Sequence, residues 1–216
     1  SRGRVRSKPI GELKCELQRL SDAGFAEVVL VGINLSAYGT DIGLSICDAV
    51  ELADRMNFRR VRLGSLEPDH ITDEVIDRLA KLPSFCPQFH ISLQSGCNNT
   101  LKAMNRHYSA EEYFELCQKL RASFPEATIT TDIMVGFPTE SEEDFAKNVR
   151  FAQKIGFEKV HVFPYSPREG TKAAKMPQIE KGIKEKRSHI MIEKTEEVRK
   201  IFLESQIGKT VEVLFE

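Results

Sequence analysis

TITTDIMVGFPTESEEDFAKNVRFAQKIGFEKVHVF, residues 128–163, decides the fold. Its first eight residues are β-branched or apolar with little else between, the composition of a buried strand. A glycine and a proline then break the run. Thr139 or Ser141 is placed to cap a helix whose inner positions are Phe145, Val149 and Ala152. After Gly156 a second β-branched run occupies 159–163. Strand, capped helix and strand in this order make a crossover unit, and crossover units build parallel sheets covered by helices.

Working outward, the same grammar repeats. Ile10, Leu13, Leu17 and Leu20 follow helical spacing and stop at Ala23-Gly24, ahead of an apolar strand at 27–31. A helix carrying Ile46, Ala49, Val50 and Ala53 leads to a strand at 60–63. Thr72 caps a helix with Val75, Ile76 and Leu79 inward, and a mixed strand lies at 89–93. Ser109 to Glu112 form a capping box for a helix with Tyr113, Leu116 and Leu120 inside. A long helix is predicted at about 179–207 and a further strand at 211–215. The class is α/β, with five parallel strands in sequential order. The count favours an open, TIM-like (β/α) barrel, complete or partial and lacking its first strand, over a flat doubly wound sheet, two arrangements that strand periodicity alone does not separate. In such folds the site lies beyond the carboxyl ends of the strands. Every visible strand ends there in polar or glycine-rich residues, among them Asn34, Ser65, Glu67, Ser92, Gln94, Gly136 and Arg168, with charges at Glu67, Asp132, Glu140 and Arg168.

Composition narrows the chemistry. Of 216 residues 41% are hydrophobic and 29% charged, and the net charge is −1, so any nucleic-acid contact must be a local patch. The densest patch is Arg2, Arg4, Arg6 and Lys8 on alternate positions; a solvated tail is the competing reading. No apolar run is long enough to span a membrane. The five cysteines, Cys15, Cys47, Cys86, Cys97 and Cys117, show no CxxC or CxxxC spacing, and a reducing cytoplasm suits them. Cys15, Cys47 and Cys117 fall in helical patterns as small buried apolar residues. The five histidines form no ligand grouping, and neither a P-loop nor a strand-linked GxGxxG is present. The result is a polar, mainly uncharged cradle suited to a zwitterionic nucleoside.

The rim segments resemble the radical-SAM methylthiotransferases, and within them the MtaB-type tRNA branch. The matching stretches are SRGRVRSKP (1–9), GINLSAYG (32–39), SLEP (65–68), ISLQSGCNNTLKAMNRHY (91–108), TDIMVGFPTESEEDF (131–145) and FPYSPREGT (163–171). The resemblance implies S-adenosylmethionine and two [4Fe–4S] clusters as cofactors, with no cluster ligand among the five cysteines. The first barrel strand and the CxxxCxxC cluster loop are expected to precede this chain. Residues 1–207 are read as a radical-SAM core truncated at its start, and 208–216 as the opening of a TRAM domain. The implied reaction begins with a deoxyadenosyl radical and ends with a methylthio group inserted into the substrate.

Carried over position by position, the resemblance implies that Asn34 meets the methionyl amino or carboxylate group, with Ser65 and Glu67 beside it. Ser92 and Gln94 would lie near the ribose, and Gly136 would let the backbone approach adenine. Phe163 and Tyr165 would contact the adenine edge, and Arg168 would fork a carboxylate. Arg2, Arg4 and Arg6 are expected to face a tRNA anticodon arm. The implied substrate is N6-threonylcarbamoyladenosine in tRNA, with isopentenyladenosine or a ribosomal-protein aspartate as sister alternatives. A flavodoxin or ferredoxin would donate electrons to a cytoplasmic monomer. A phosphate-binding barrel enzyme is the rival from another class, but the arginine- and proline-bearing FPYSPREGT occupies the place of its phosphate loop. A non-catalytic RNA-binding module is disfavoured by the near-neutral charge.

Overall fold

In the computed structural model, which describes residues 3–214, one parallel sheet curves beneath a layer of helices. The chain order is α1 (Ile10–Asp22), β1 (Glu27–Leu30), α2 (Ile46–Asp54), β2 (Arg60–Leu63), β3 (Ser65–Leu66) and α3 (Asp73–Leu79). There follow β4 (Gln88–Ile91), α4 (Asn98–Ala103), α5 (Ala110–Ser123), β5 (Thr128–Val135), α6 (Glu142–Ile155), β6 (Lys159–Pro164) and α7 (Lys181–Ser205). β1 pairs with β2, and β3, β4, β5 and β6 form a second run, every pair being parallel. A parallel bridge from Val61 to Phe85 joins the two runs. The strands therefore lie in sequence order, a partial (β/α) barrel open between β6 and β1.

Alternation decides which face each residue serves. In β5, Ile129, Thr131, Ile133 and Val135 are buried, and the residues between them are half-buried. Val28, Leu30, Val61, Leu63, Phe89 and Ile91 repeat this on the neighbouring strands, packing against the helices. Fully burying each such side chain contributes on the order of 1.5–3 kcal/mol. Phe85, Phe89 and Phe124 meet at centroid distances of 5.4–5.8 Å beneath α5. The apolar run at 27–31 is not covered on both faces, because the barrel is open beside it: Val29 and Val31 are exposed on the concave side.

Local chemistry sets the ends of the elements. Ser141, not Thr139, caps α6, accepting the Asp144 N–H at 3.1 Å. Thr139 instead takes φ +82°, a left-handed conformation costly for a β-branched residue. Ser109 and Thr72 cap α5 and α3, as their spacing predicts. Two expectations are corrected. Cys15 is exposed, since it falls on the outer side of α1. Residues 211–214 pair with no strand among the described residues, and Phe215 lies outside them. α4 and the two-residue β3 lie between the predicted elements.

Candidate functional site

At the carboxyl ends of the strands the concave face opens into a cavity of about 1420 Å³. Its lining draws Asn34 from the loop after β1, Ser65 and Glu67 from β3 and its exit, Ser92 and Gln94 from the exit of β4, and Asp132 from β5. Arg4 and Arg6 line it from the N-terminal segment. Seven of the expected residues thus meet around one space. Arg2 lies outside the described residues.

Loop-to-loop hydrogen bonds hold the rim. Ser36 Oγ accepts the Glu67 N–H at 2.8 Å, tying the β1 and β3 exits together. Glu67 pairs with Arg106 at 3.0 Å, which leaves it a bound charge rather than a free one. Arg106 also lines the cavity; its only sequence signal was its place inside the 91–108 stretch. The Tyr108 hydroxyl lies 2.9 Å from the carbonyls of both Ser92 and Leu93, and burial raises its pKa. Gln94 sits at φ +65°, its N–H bonded to the Asp132 carbonyl and its carbonyl accepting from Met134 N–H, both at 2.9 Å. A non-glycine residue forced into that region by two backbone bonds is a marker of a built site.

The basic segment is fastened to the same rim. Gly39 N–H donates to Ser7 Oγ at 2.8 Å, Ser7 N–H to Asp41 at 2.9 Å, and the Tyr38 hydroxyl to the Lys8 carbonyl at 2.9 Å. Gly39 is obligatory there: at φ +88° any Cβ would overlap the Leu44 carbonyl. The segment is therefore docked, which a freely solvated tail would not be.

The remaining expected residues stand apart from the cavity wall. Gly136, at φ +69°, faces the Lys184 side chain of α7. Tyr165 is buried edge-on to Phe137 at 5.2 Å, beneath that lysine. Phe163 is half exposed, and the Arg168 carbonyl accepts from Thr171 in a turn. Glu140 is not a rim charge. It is buried, accepting from Gly136 N–H at 2.7 Å and from Arg187 at 2.8 Å, and burial pushes its carboxyl up.

Residues 1–152 match the family description Radical SAM superfamily. The chain belongs to that superfamily. The radical SAM chain is 36% identical over 215 residues to "Threonylcarbamoyladenosine tRNA methylthiotransferase MtaB" of Thermotoga maritima, covering 99% of this chain and 50% of that protein. It is also 36% identical over 219 residues to "tRNA-2-methylthio-N(6)-dimethylallyladenosine synthase" of Caldicellulosiruptor saccharolyticus, covering 100% of this chain and 46% of that protein. The radical SAM chain thus spans about half the length of the curated relatives it matches. In fold it is similar to coproporphyrinogen III oxidase (HemN) from Escherichia coli, with TM-score 0.61 and 14% identity over 91% of this chain and 45% of that one.

Radical SAM proteins use S-adenosylmethionine with [4Fe–4S] clusters. The cavity fits the first: it is roomy, with charges of both signs and hydrogen-bonding side chains that follow β1, β3 and β4. The cysteines do not fit the second. Cys47 and Cys117 are buried in the core, where burial raises both thiols, Cys117 to about 12. Cys97 donates to Asp144 at 3.2 Å, and Cys15 lies on an outer helix face. Among the described residues no group of three or more His, Cys, Asp or Glu side chains could hold a metal ion.

Proposed function

We propose that this chain is the S-adenosylmethionine-binding core of a tRNA methylthiotransferase, acting on N6-threonylcarbamoyladenosine beside the anticodon. The observation that carries the reading is the convergence of Asn34, Ser65, Glu67, Ser92 and Gln94 on one cavity, in a chain similar over its whole length to methylthiotransferases. The cluster cysteines, in this reading, come from residues outside this chain, and 208–216 lead into a further domain. Bound in the cavity, S-adenosylmethionine would supply the radical that activates the substrate carbon. The protein's own work is positional. Asn34, Ser92 and Gln94 hold the cofactor's polar ends, Val29 and Val31 shield one wall, and Arg4 and Arg6 meet phosphate at the mouth.

The test uses the full-length parent enzyme. Asn34→Ala and Gln94→Ala should each weaken S-adenosylmethionine binding about ten- to a hundredfold, the cost of a lost hydrogen bond to a charged or polar group. Iron content should stay near wild type. Wild-type affinity in both variants would misplace the site. Mass analysis of tRNA nucleosides from a deletion strain names the substrate: loss of a methylthio group from isopentenyladenosine instead would move the enzyme to the sister branch.

A further inference from the structure

The concave face carries a hydrogen-bonded line that the cofactor site leaves unused. Register and alternation put Glu27, Arg62, Gln88, His90 and Thr130 on this face, across β1, β2, β4 and β5. Glu27 pairs with Arg62 at 3.0 Å, and Arg62 Nη2 donates to Gln88 Oε1 at 3.4 Å. Gln88 Nε2 donates to Thr130 Oγ1 at 3.4 Å, and Thr130 Oγ1 lies 2.9 Å from His90 Nδ1. His90 Nε2 stands 3.4 Å from Asp132 Oδ2, and on the other side the His161 ring of β6 is 5.8 Å from that of His90.

The charged end fixes the direction of the line. A guanidinium only donates, so Gln88 meets it with its carbonyl and must donate onward from its amide. The Thr130 hydroxyl receives that amide and keeps its single proton free to turn to Nδ1, 2.9 Å away. With that proton given to Nδ1, the imidazole carries its own on Nε2, the nitrogen 3.4 Å from Asp132. Asp132 Oδ2 lies 3.4 Å from that nitrogen, and Oδ1 has no hydrogen-bond partner among the described residues. The side chain lines the cavity at 30% exposure, and its backbone carbonyl is pinned by Gln94 N–H. Asn34, Ser65, Ser92 and Gln94 enter from the β1–β4 side. Asp132 enters from β5, the next strand along the sheet.

We propose that Asp132 is a substrate-positioning acceptor, taking an N–H or O–H donor of a purine nucleoside on Oδ1, and that His90 is the positioning residue that holds it. The proposal rests on the nucleoside-modifying reading above. In the full-length enzyme Asp132→Asn should raise the KM for an anticodon stem-loop about tenfold or more, one lost charge-assisted hydrogen bond. The dissociation constant for S-adenosylmethionine should move less than twofold. His90→Asn should shift KM the same way by a smaller factor. ¹⁵N spectra of the chain should show His90 protonated on Nε2, a preference that Thr130→Val abolishes. An unchanged stem-loop KM in Asp132→Asn overturns the proposal, as does a parallel loss of cofactor affinity or an Nδ1-protonated His90. If wild-type enzyme makes no methylthio product, the functional reading fails by itself. Adenosine binding to wild-type and Asp132→Asn chains then decides the acceptor, equal affinities overturning it.

Discussion

At the residue scale, Asp144 shows how one side chain joins helix start to site support. Its Oδ2 accepts from Ser141 N–H at 3.1 Å and Ser141 Oγ–H at 2.7 Å, closing the capping box of α6. Its Oδ1 accepts from Cys97 and Asn99, holding the loop that follows Gln94. Burial pushes the carboxyl up, but the hydrogen bonds from Ser141, Cys97 and Asn99 outweigh it and bring it to about 2. A pKa lowered by folding gives stability that is present above the unfolded value of about 4 and is lost as pH falls through the folded one. Asp144→Ala should therefore cost about 2 kcal/mol at neutral pH, cap and pairing together. Urea denaturation at pH 7 and at pH 2.5 checks this. The gap between variant and wild type should narrow at the lower pH, and a gap independent of pH would assign Asp144 a purely neutral role. None of this was legible in the sequence beyond the cap itself. Ser141 and Thr139 are equally plausible caps by spacing, and only the left-handed backbone at Thr139 separates them.

At the element scale, α7 closes the fold by a buried ion pair rather than by an apolar stripe. Its buried positions are Arg187, Met191 and Thr195, one turn apart. Arg187 reaches Glu140 at 2.8 Å and Glu142 at 2.7 Å, with the Phe145 ring 5.4 Å away. Lys184 adds a bond to the Tyr165 carbonyl at 3.1 Å. The helix thereby latches the turn 136–140 and the end of β6. Arg187→Met strands the Glu140 carboxylate and should cost about 3–5 kcal/mol, whereas adding Glu140→Gln should restore more than half of it. Hydrogen exchange of α7 amides with denaturant titration would measure both. Equal loss in single and double variants would mean that packing, not the stranded charge, sets the cost. Strands and most helices were readable because burial on one face imposes a period. The latch was not, because Glu140 and Arg187 are 47 residues apart and look like two surface charges.

At the scale of the whole molecule, a near-neutral chain divides its charge by place. The convex side carries dispersed pairs such as Lys147–Glu143 and Lys119–Asp73, of little net worth when exposed. The cavity mouth carries Arg4 and Arg6 on a segment docked through Ser7 and Lys8. The rim residues of β1 to β4 were legible as a set, because strand ends in a parallel fold point one way. Gly136 and Arg168 were read into that set by the same strand-end rule and Phe163 and Tyr165 by resemblance. None of the four lines the cavity, and α7 stands against Gly136 and Tyr165. Docked arginines at the mouth lead to a quantitative expectation. Phosphate contacts release counterions, so log affinity falls with log salt in proportion to their number. Replacing Arg4 and Arg6 by alanine in the full-length enzyme should lower the slope for tRNA binding by about one to two. The weakening should be similar for tRNAs of different anticodon-loop sequence, since phosphate contacts carry no sequence information. Filter binding between low and physiological salt reads both quantities. An unchanged slope, with folding intact, would leave these arginines to brace the rim and would move the electrostatic contact with tRNA elsewhere on the full-length enzyme.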